Sequence, residues 1–99
     1  MNTSASELSS PGATAVRFED DCMIVELDDG RSISVPTCWY PRLHNATNEE
    51  RQEWEIFGRT GIHWSTIDED ISVTALLEGK RSNESQSSLK KWLESRISS

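Results

Sequence analysis

Residues able to do chemistry gather in one stretch of the chain, from Trp39 to Val73. It holds His44 and His63, the acidic run Asp68-Glu69-Asp70, the only tyrosine, Tyr40, and three of the four tryptophans, Trp39, Trp54 and Trp64. Asp68 and Asp70 could ligate a hard cation, but the remaining ligand positions of a calcium loop are missing. The two histidines stand on different segments and match no zinc spacing. No Ser, Cys or Lys sits in a nucleophile motif, and there is no glycine-rich phosphate loop. The residues therefore assign no catalytic group, cofactor or metal. Trp39-Tyr40-Pro41-Arg42-Leu43 has a different character, because Trp, Tyr and Arg dominate protein interfaces. Tyr40, Arg42 and Trp64 are candidate partner contacts, while Trp39, Pro41, Trp54, His63, Asp68 and Asp70 read as structural.

Charge narrows the class of partner. The 99 residues carry a net charge of −7. Residues 16–79 hold five Arg against fourteen Asp or Glu, a balance of −9. Such a body repels phosphate backbones, so direct nucleic-acid binding is not expected, whereas a basic protein would be steered towards it. No apolar run reaches membrane-spanning length, and no signal peptide opens the chain, so the expected location is cytoplasmic. Cys22 and Cys38 lack the spacing of a disulfide framework and read as buried or half-buried thiols.

The elements that must position these residues make a small α+β domain. Residues 1–15 are mostly Ser, Thr, Ala, Gly and Pro and read as disordered. Residues 16–79 form the domain, 80–88 a polar linker and 89–99 a separate amphipathic helix. Apolar–polar alternation gives three strands around Val16–Glu19, Met23–Leu27 and Arg31–Val35. A two-residue Asp20-Asp21 turn sets Phe18 opposite Met23 and Val16 opposite Val25. A three-residue Asp28-Asp29-Gly30 loop, with Gly30 left-handed, sets Val25 opposite Ile33 and Met23 opposite Val35. The antiparallel meander then has one apolar face of Val16, Phe18, Met23, Val25, Leu27, Ile33 and Val35.

Pro36 ends the third strand. Thr47-x-x-Glu50 is a capping box, and the helix it opens is expected to lay Trp54 and Phe57 on the sheet and close at Gly58. Ile71-Ser72-Val73 reads as a short fourth strand running into a helical turn at Leu76-Leu77. Beyond the linker, Ser88 is a candidate cap, and Leu89, Trp92, Leu93 and Ile97 share one helical stripe. A helix that short needs a surface to cover it, either this domain or a partner. Leu89, Trp92 and Leu93 are therefore further candidate partner contacts.

Several motifs stand in an order that resembles the bacterial domain-of-unknown-function 2442 family. They are Val25-Glu26-Leu27-Asp28-Asp29-Gly30-Arg31-Ser32-Ile33-Ser34-Val35-Pro36 and Trp39-Tyr40-Pro41-Arg42-Leu43, then Ala46-Thr47-x-x-Glu50-Arg51 with Trp54 and Gly58. Gly61-Ile62-His63-Trp64 and Asp68-Glu69-Asp70-Ile71-Ser72-Val73 complete the set. The resemblance implies a small α+β domain, standing alone or fused to a helix-turn-helix, often beside a second small gene in a toxin–antitoxin-like arrangement. No helix-turn-helix is recognisable here, and Ser65 follows His63-Trp64 where the family often has proline. The expectation is a non-enzymatic, antitoxin-like binding module for a small basic protein encoded nearby. The alternatives are a metal-dependent hydrolase using His63 with Asp68 and Asp70, and a homodimer that buries the C-terminal stripe symmetrically.

Overall fold

Strand β1 (Ala13–Glu19), β2 (Cys22–Leu27) and β3 (Ser32–Pro36) form an antiparallel sheet in sequence order. The computed structural model describes residues 11–98, with only the backbone at Ser98. Asp20 and Asp21 both take positive φ, 49° and 65°, the conformation of a two-residue turn whose twist matches its strands. Phe18 consequently faces Met23 and Val16 faces Val25. At the next turn the Leu27 N–H donates to the Arg31 carbonyl at 2.8 Å, closing Asp28-Asp29-Gly30 as the three-residue loop. Gly30 has φ +91°, and a Cβ built there would meet no atom within 4 Å, so glycine is required by conformation alone. Val25 pairs with Ile33 and Met23 with Val35. Val16, Met23, Val25, Leu27 and Val35 are buried, with Phe18 and Ile33 packed at their margin. This half of the molecule follows the sequence expectation, except that β1 starts at Ala13, inside the segment expected to be disordered. The rest of that expectation, residues 1–10, lies outside the described residues.

A 3-10 turn (Thr37–Trp39) leads to the single-turn helix α1 (Pro41–His44), with Pro41 in the first turn, where a missing N–H costs nothing. Leu43 on α1 is fully buried. Helix α2 (Asn48–Arg51) opens with both arms of the Thr47–Glu50 capping box. It then stops, and the expectation of a helix through Phe57 is corrected. Trp54–Phe57 is a strand, β4, pairing with β5 (Gly61–Trp64), which pairs with β6 (Glu69–Ser72) in a second antiparallel sheet. The expected fourth strand is thus the edge of a second three-stranded sheet. Trp54 and Phe57 fit one helical face, but Trp54 and Ile56 equally fit one strand face. Cross-strand partners decide between them: Trp54 faces Trp64 and Ile56 faces Ile62. Phe57 turns outward and is 55% exposed. Gly58, at φ +60°, serves the β4–β5 turn rather than a helix end.

Helix α3 (Val73–Leu77) continues directly from β6, its first turn capped by the Ser72 hydroxyl, which accepts from the Ala75 N–H at 3.0 Å. Val73 and Leu76 point inward. The two sheets share one core, in which Trp64 is fully buried and meets Phe18 edge-on at 6.5 Å. A bond from the Ala13 N–H to the Arg59 carbonyl, 2.9 Å, also ties β1 to the β4–β5 turn. The last element is α4 (Gln86–Ser98). No helix among the described residues is long and apolar enough to cross a membrane.

Candidate protein-binding site

The C-terminal helix is seated on the domain. Arg96 of α4 makes two bonds to Glu50 of α2, at 2.7 and 2.9 Å. Just before α4, Glu84 pairs with Arg42 of α1 at 2.7 Å, and Arg42 also donates to the Ile67 carbonyl at 2.9 Å. Trp92 packs against the core, with the Arg42 and Arg96 guanidinium groups 5.3 and 4.5 Å from its ring centre. Leu89 and Leu93 are half-buried, whereas Ile97 leaves the covered stripe and is 85% exposed. The cap is Ser85 rather than Ser88: the Ser85 hydroxyl accepts from the Ser88 N–H at 3.1 Å. Residues 80–85 run along the body, the Tyr40 hydroxyl donating to the Lys80 carbonyl and the Ser82 N–H to the Trp39 carbonyl, at 2.8 and 3.1 Å. The Arg96 bonds, helped by the Thr47 N–H, lower the Glu50 carboxyl to about 2. Arg42 lowers Glu84 in the same way.

Two candidate partner contacts are interior residues, which corrects their expected exposure. Tyr40 is 4% and Trp64 0% exposed. Each has its polar atom satisfied, Trp64 by donating to the Arg51 carbonyl at 3.1 Å, as a buried ring with a polar tip requires. Arg42 is ion-paired with Glu84, and Asp68 and Glu69 act on it only through longer-range charge. Trp39 is half-buried beneath the Arg81 guanidinium, 4.6 Å from its ring centre. Cys22 is half-buried and Cys38 exposed, both as free thiols.

His63 and Asp70 do meet, Nδ1 to Oδ1 at 2.5 Å, on the outward side of the second sheet. Phe57 stands edge-on to His63 at 6.3 Å. Asp68 takes no part in this pair and lines a separate hollow with Arg42, Glu69, Ser82, Glu84 and Ser88. Among the described residues no three His, Cys, Asp or Glu side chains are placed to hold a metal ion.

Glu69 is a residue that sequence reasoning passed over. It borders a groove of about 680 Å³ between the β6 edge and the Lys80–Asn83 segment, together with Tyr40, Phe57, Ile71, Ala75 and Ser82. Burial, reinforced by the negative charge of Glu84, raises its carboxyl to about 7. Its alternation with Ile71 was the available signal, since residues two apart in a strand share a face.

The surface charge is unevenly neutralised. Every arginine of residues 16–79 is engaged within the chain. Arg17 meets Glu19 and Glu26, Arg31 meets Asp29, and Arg59 meets Asp28. Arg42 holds Glu84, and Arg51 donates to the Leu43 and His44 carbonyls at the end of α1. Asp20, Asp21, Glu49, Glu53 and Glu55 are exposed and have no ion pair among the described residues.

The family model described as protein of unknown function (DUF2442) matches residues 13–82. The chain belongs to the DUF2442 family. A crystal structure of a protein of unknown function from Rhodospirillum rubrum is similar at 28% identity and TM-score 0.66, over 77% of this chain and 95% of that one. A solution structure of an uncharacterised protein from Chromobacterium violaceum shares the fold at 22% identity and TM-score 0.66, over 91% of this chain and 84% of that one. No curated protein matches.

Proposed function

We propose that this DUF2442 chain is a non-enzymatic protein-binding module that uses its acidic surface to engage a small basic protein. The antitoxin-like form of the proposal, with the partner encoded nearby and its working surface covered, follows the family resemblance. One observation carries the reading: the arginines of the body are all internally engaged, while Asp20, Asp21, Glu49, Glu53 and Glu55 are exposed and make no ion pair among the described residues. A basic partner would be drawn by that residual field, and salt would weaken the attraction. Trp92 of the C-terminal stripe packs against this chain's own core, and Leu89 and Leu93 beside it are half-buried. The proposed contact therefore falls on the carboxylates, with α4 holding the body in shape.

The test is the salt dependence of complex formation with the neighbouring gene product. The proposal expects dissociation to rise steeply with ionic strength and the Glu49→Gln/Glu53→Gln/Glu55→Gln variant to bind more weakly. A complex indifferent to both would overturn it.

A further inference from the structure

The second sheet ends in an edge that the chain leaves open. Glu69 faces Trp64, Asp70 faces His63, Ile71 faces Ile62 and Ser72 faces Gly61. The Val73 N–H donates to the Thr60 carbonyl at 2.8 Å, which extends the same register by one residue and fixes its phase. Hydrogen-bonded pairs alternate along an antiparallel ladder. Glu69 and Ile71 therefore direct their peptide groups to β5, and Asp70 directs its N–H and carbonyl to the opposite side. Among the described residues no backbone group meets Asp70 there. A groove of about 680 Å³ runs beside the strand, lined by β6, Tyr40 and the Lys80–Asn83 segment and reaching Phe57, Gly58, Thr60 and Gly61 of the β4–β5 hairpin.

The edges of the first sheet are each partly blunted. β1 is tied through Ala13 to Arg59 beside β4. β3 ends in Pro36, which cannot donate. β6 combines an open backbone edge with a bordering groove.

Charge selects what can lie there. A second copy pairing antiparallel about Asp70 would set Asp70 opposite its counterpart, and like charges opposite one another are unfavourable. The cations on the far wall are occupied: Lys80 pairs with Glu78 at 3.1 Å, and Arg81 lies over Trp39. Glu69 and Asp70 both border the groove, from opposite faces of the strand, and Asp70, 64% exposed at its side chain, also holds His63. A strand laid along β6 would have a carboxyl within reach on both of its faces.

We infer that the free edge of β6 takes an extended Lys- or Arg-bearing segment of a protein partner as a fourth strand, with a basic side chain opposite Asp70. Main-chain bonds to Asp70 would give affinity, and the alternating side chains specificity. This inference rests on the reading of the chain as a protein-binding module.

The test uses a blocked heptapeptide, acetyl-Thr-Val-Lys-Val-Lys-Val-Thr-amide, titrated into the intact chain by amide NMR with hydrogen exchange. The Lys peptide is expected to protect the Asp70 N–H, while the same peptide with Glu for Lys, or with alternate amides N-methylated, leaves it unprotected. Asp70→Lys should lower affinity for the Lys peptide by about tenfold or more and favour the Glu peptide. Asp70→Pro, which removes the edge donor at a position where edge strands tolerate proline, should abolish binding with the other amide shifts intact. Binding unaffected by N-methylation, shifts confined to Glu49–Glu55, or concentration-dependent self-protection of Asp70 would each overturn the inference. If the basic partner protein still binds Asp70→Lys with unchanged affinity, the edge assignment fails while the acidic-module reading stands.

Discussion

Arg96 and Glu50 are 46 residues apart in sequence and joined by two short charged bonds across the C-terminal helix and the capping box of α2. The same Glu50 closes the box by accepting from the Thr47 N–H at 2.8 Å. One carboxylate thus fixes the start of α2 and the seat of α4. Arg96→Met keeps most of the side-chain volume and removes both bonds. It should cost about 1–2 kcal/mol and selectively speed amide exchange in residues 86–98. Urea unfolding with hydrogen exchange checks this.

That contact also sets a pH dependence. The folded Glu50 carboxyl, at about 2, lies below its ordinary 4.5, so its contribution is full above 4.5 and is lost as pH falls towards 2. The wild type should release α4 progressively in that window. Arg96→Met should show a flatter acid limb when stability is followed by denaturant melts at successive pH values.

Glu69 has the opposite sign. Burial raises its carboxyl to about 7, so the folded state holds a proton that the unfolded chain releases near 4.5. Stability therefore falls as pH rises from 4.5 to 7. Glu69→Gln should change little at pH 4 and stabilise by on the order of 2 kcal/mol at pH 8. Thermal melts at those two pH values separate the outcomes.

Trp64 joins both sheets and α2, touching Phe18 and donating to the Arg51 carbonyl. Trp64→Phe leaves that carbonyl without its partner and opens a small void. The expected cost is about 2 kcal/mol, read as a Tm lowered by roughly 10 °C.

At the β2–β3 turn, Gly30→Ala meets no atom but must hold φ +91°. It should cost about 1 kcal/mol, with Gly30→Asn milder, since Asn tolerates the left-handed region. Chemical denaturation of the two variants checks the order.

The first sheet was legible because turn chemistry and pleat agreed. Asp20-Asp21 and Asp28–Gly30 each allowed one loop length that set apolar residues opposite apolar residues, and those registers are the ones observed. The second sheet was hidden by ambiguity at Trp54–Phe57, where four residues fit both a helical and a strand period and only the distant Trp64 and Ile62 decide. Tyr40 and Trp64 were misplaced as surface contacts for a related reason. A polar ring tip signals an interface or a buried bond equally, and the acceptors, the carbonyls of Lys80 and Arg51, carry no side-chain signature. The Arg42–Glu84 and Arg96–Glu50 pairs span more than 40 residues each and were beyond local pattern.

The measurement that most directly tests the acidic-module reading is co-expression of the tagged chain with its neighbouring gene product, followed by size exclusion and mass determination. The account predicts a stable hetero-complex that the Glu49→Gln/Glu53→Gln/Glu55→Gln variant forms less well. A chain that elutes alone, as monomer or dimer, with the neighbour present and folded would contradict it.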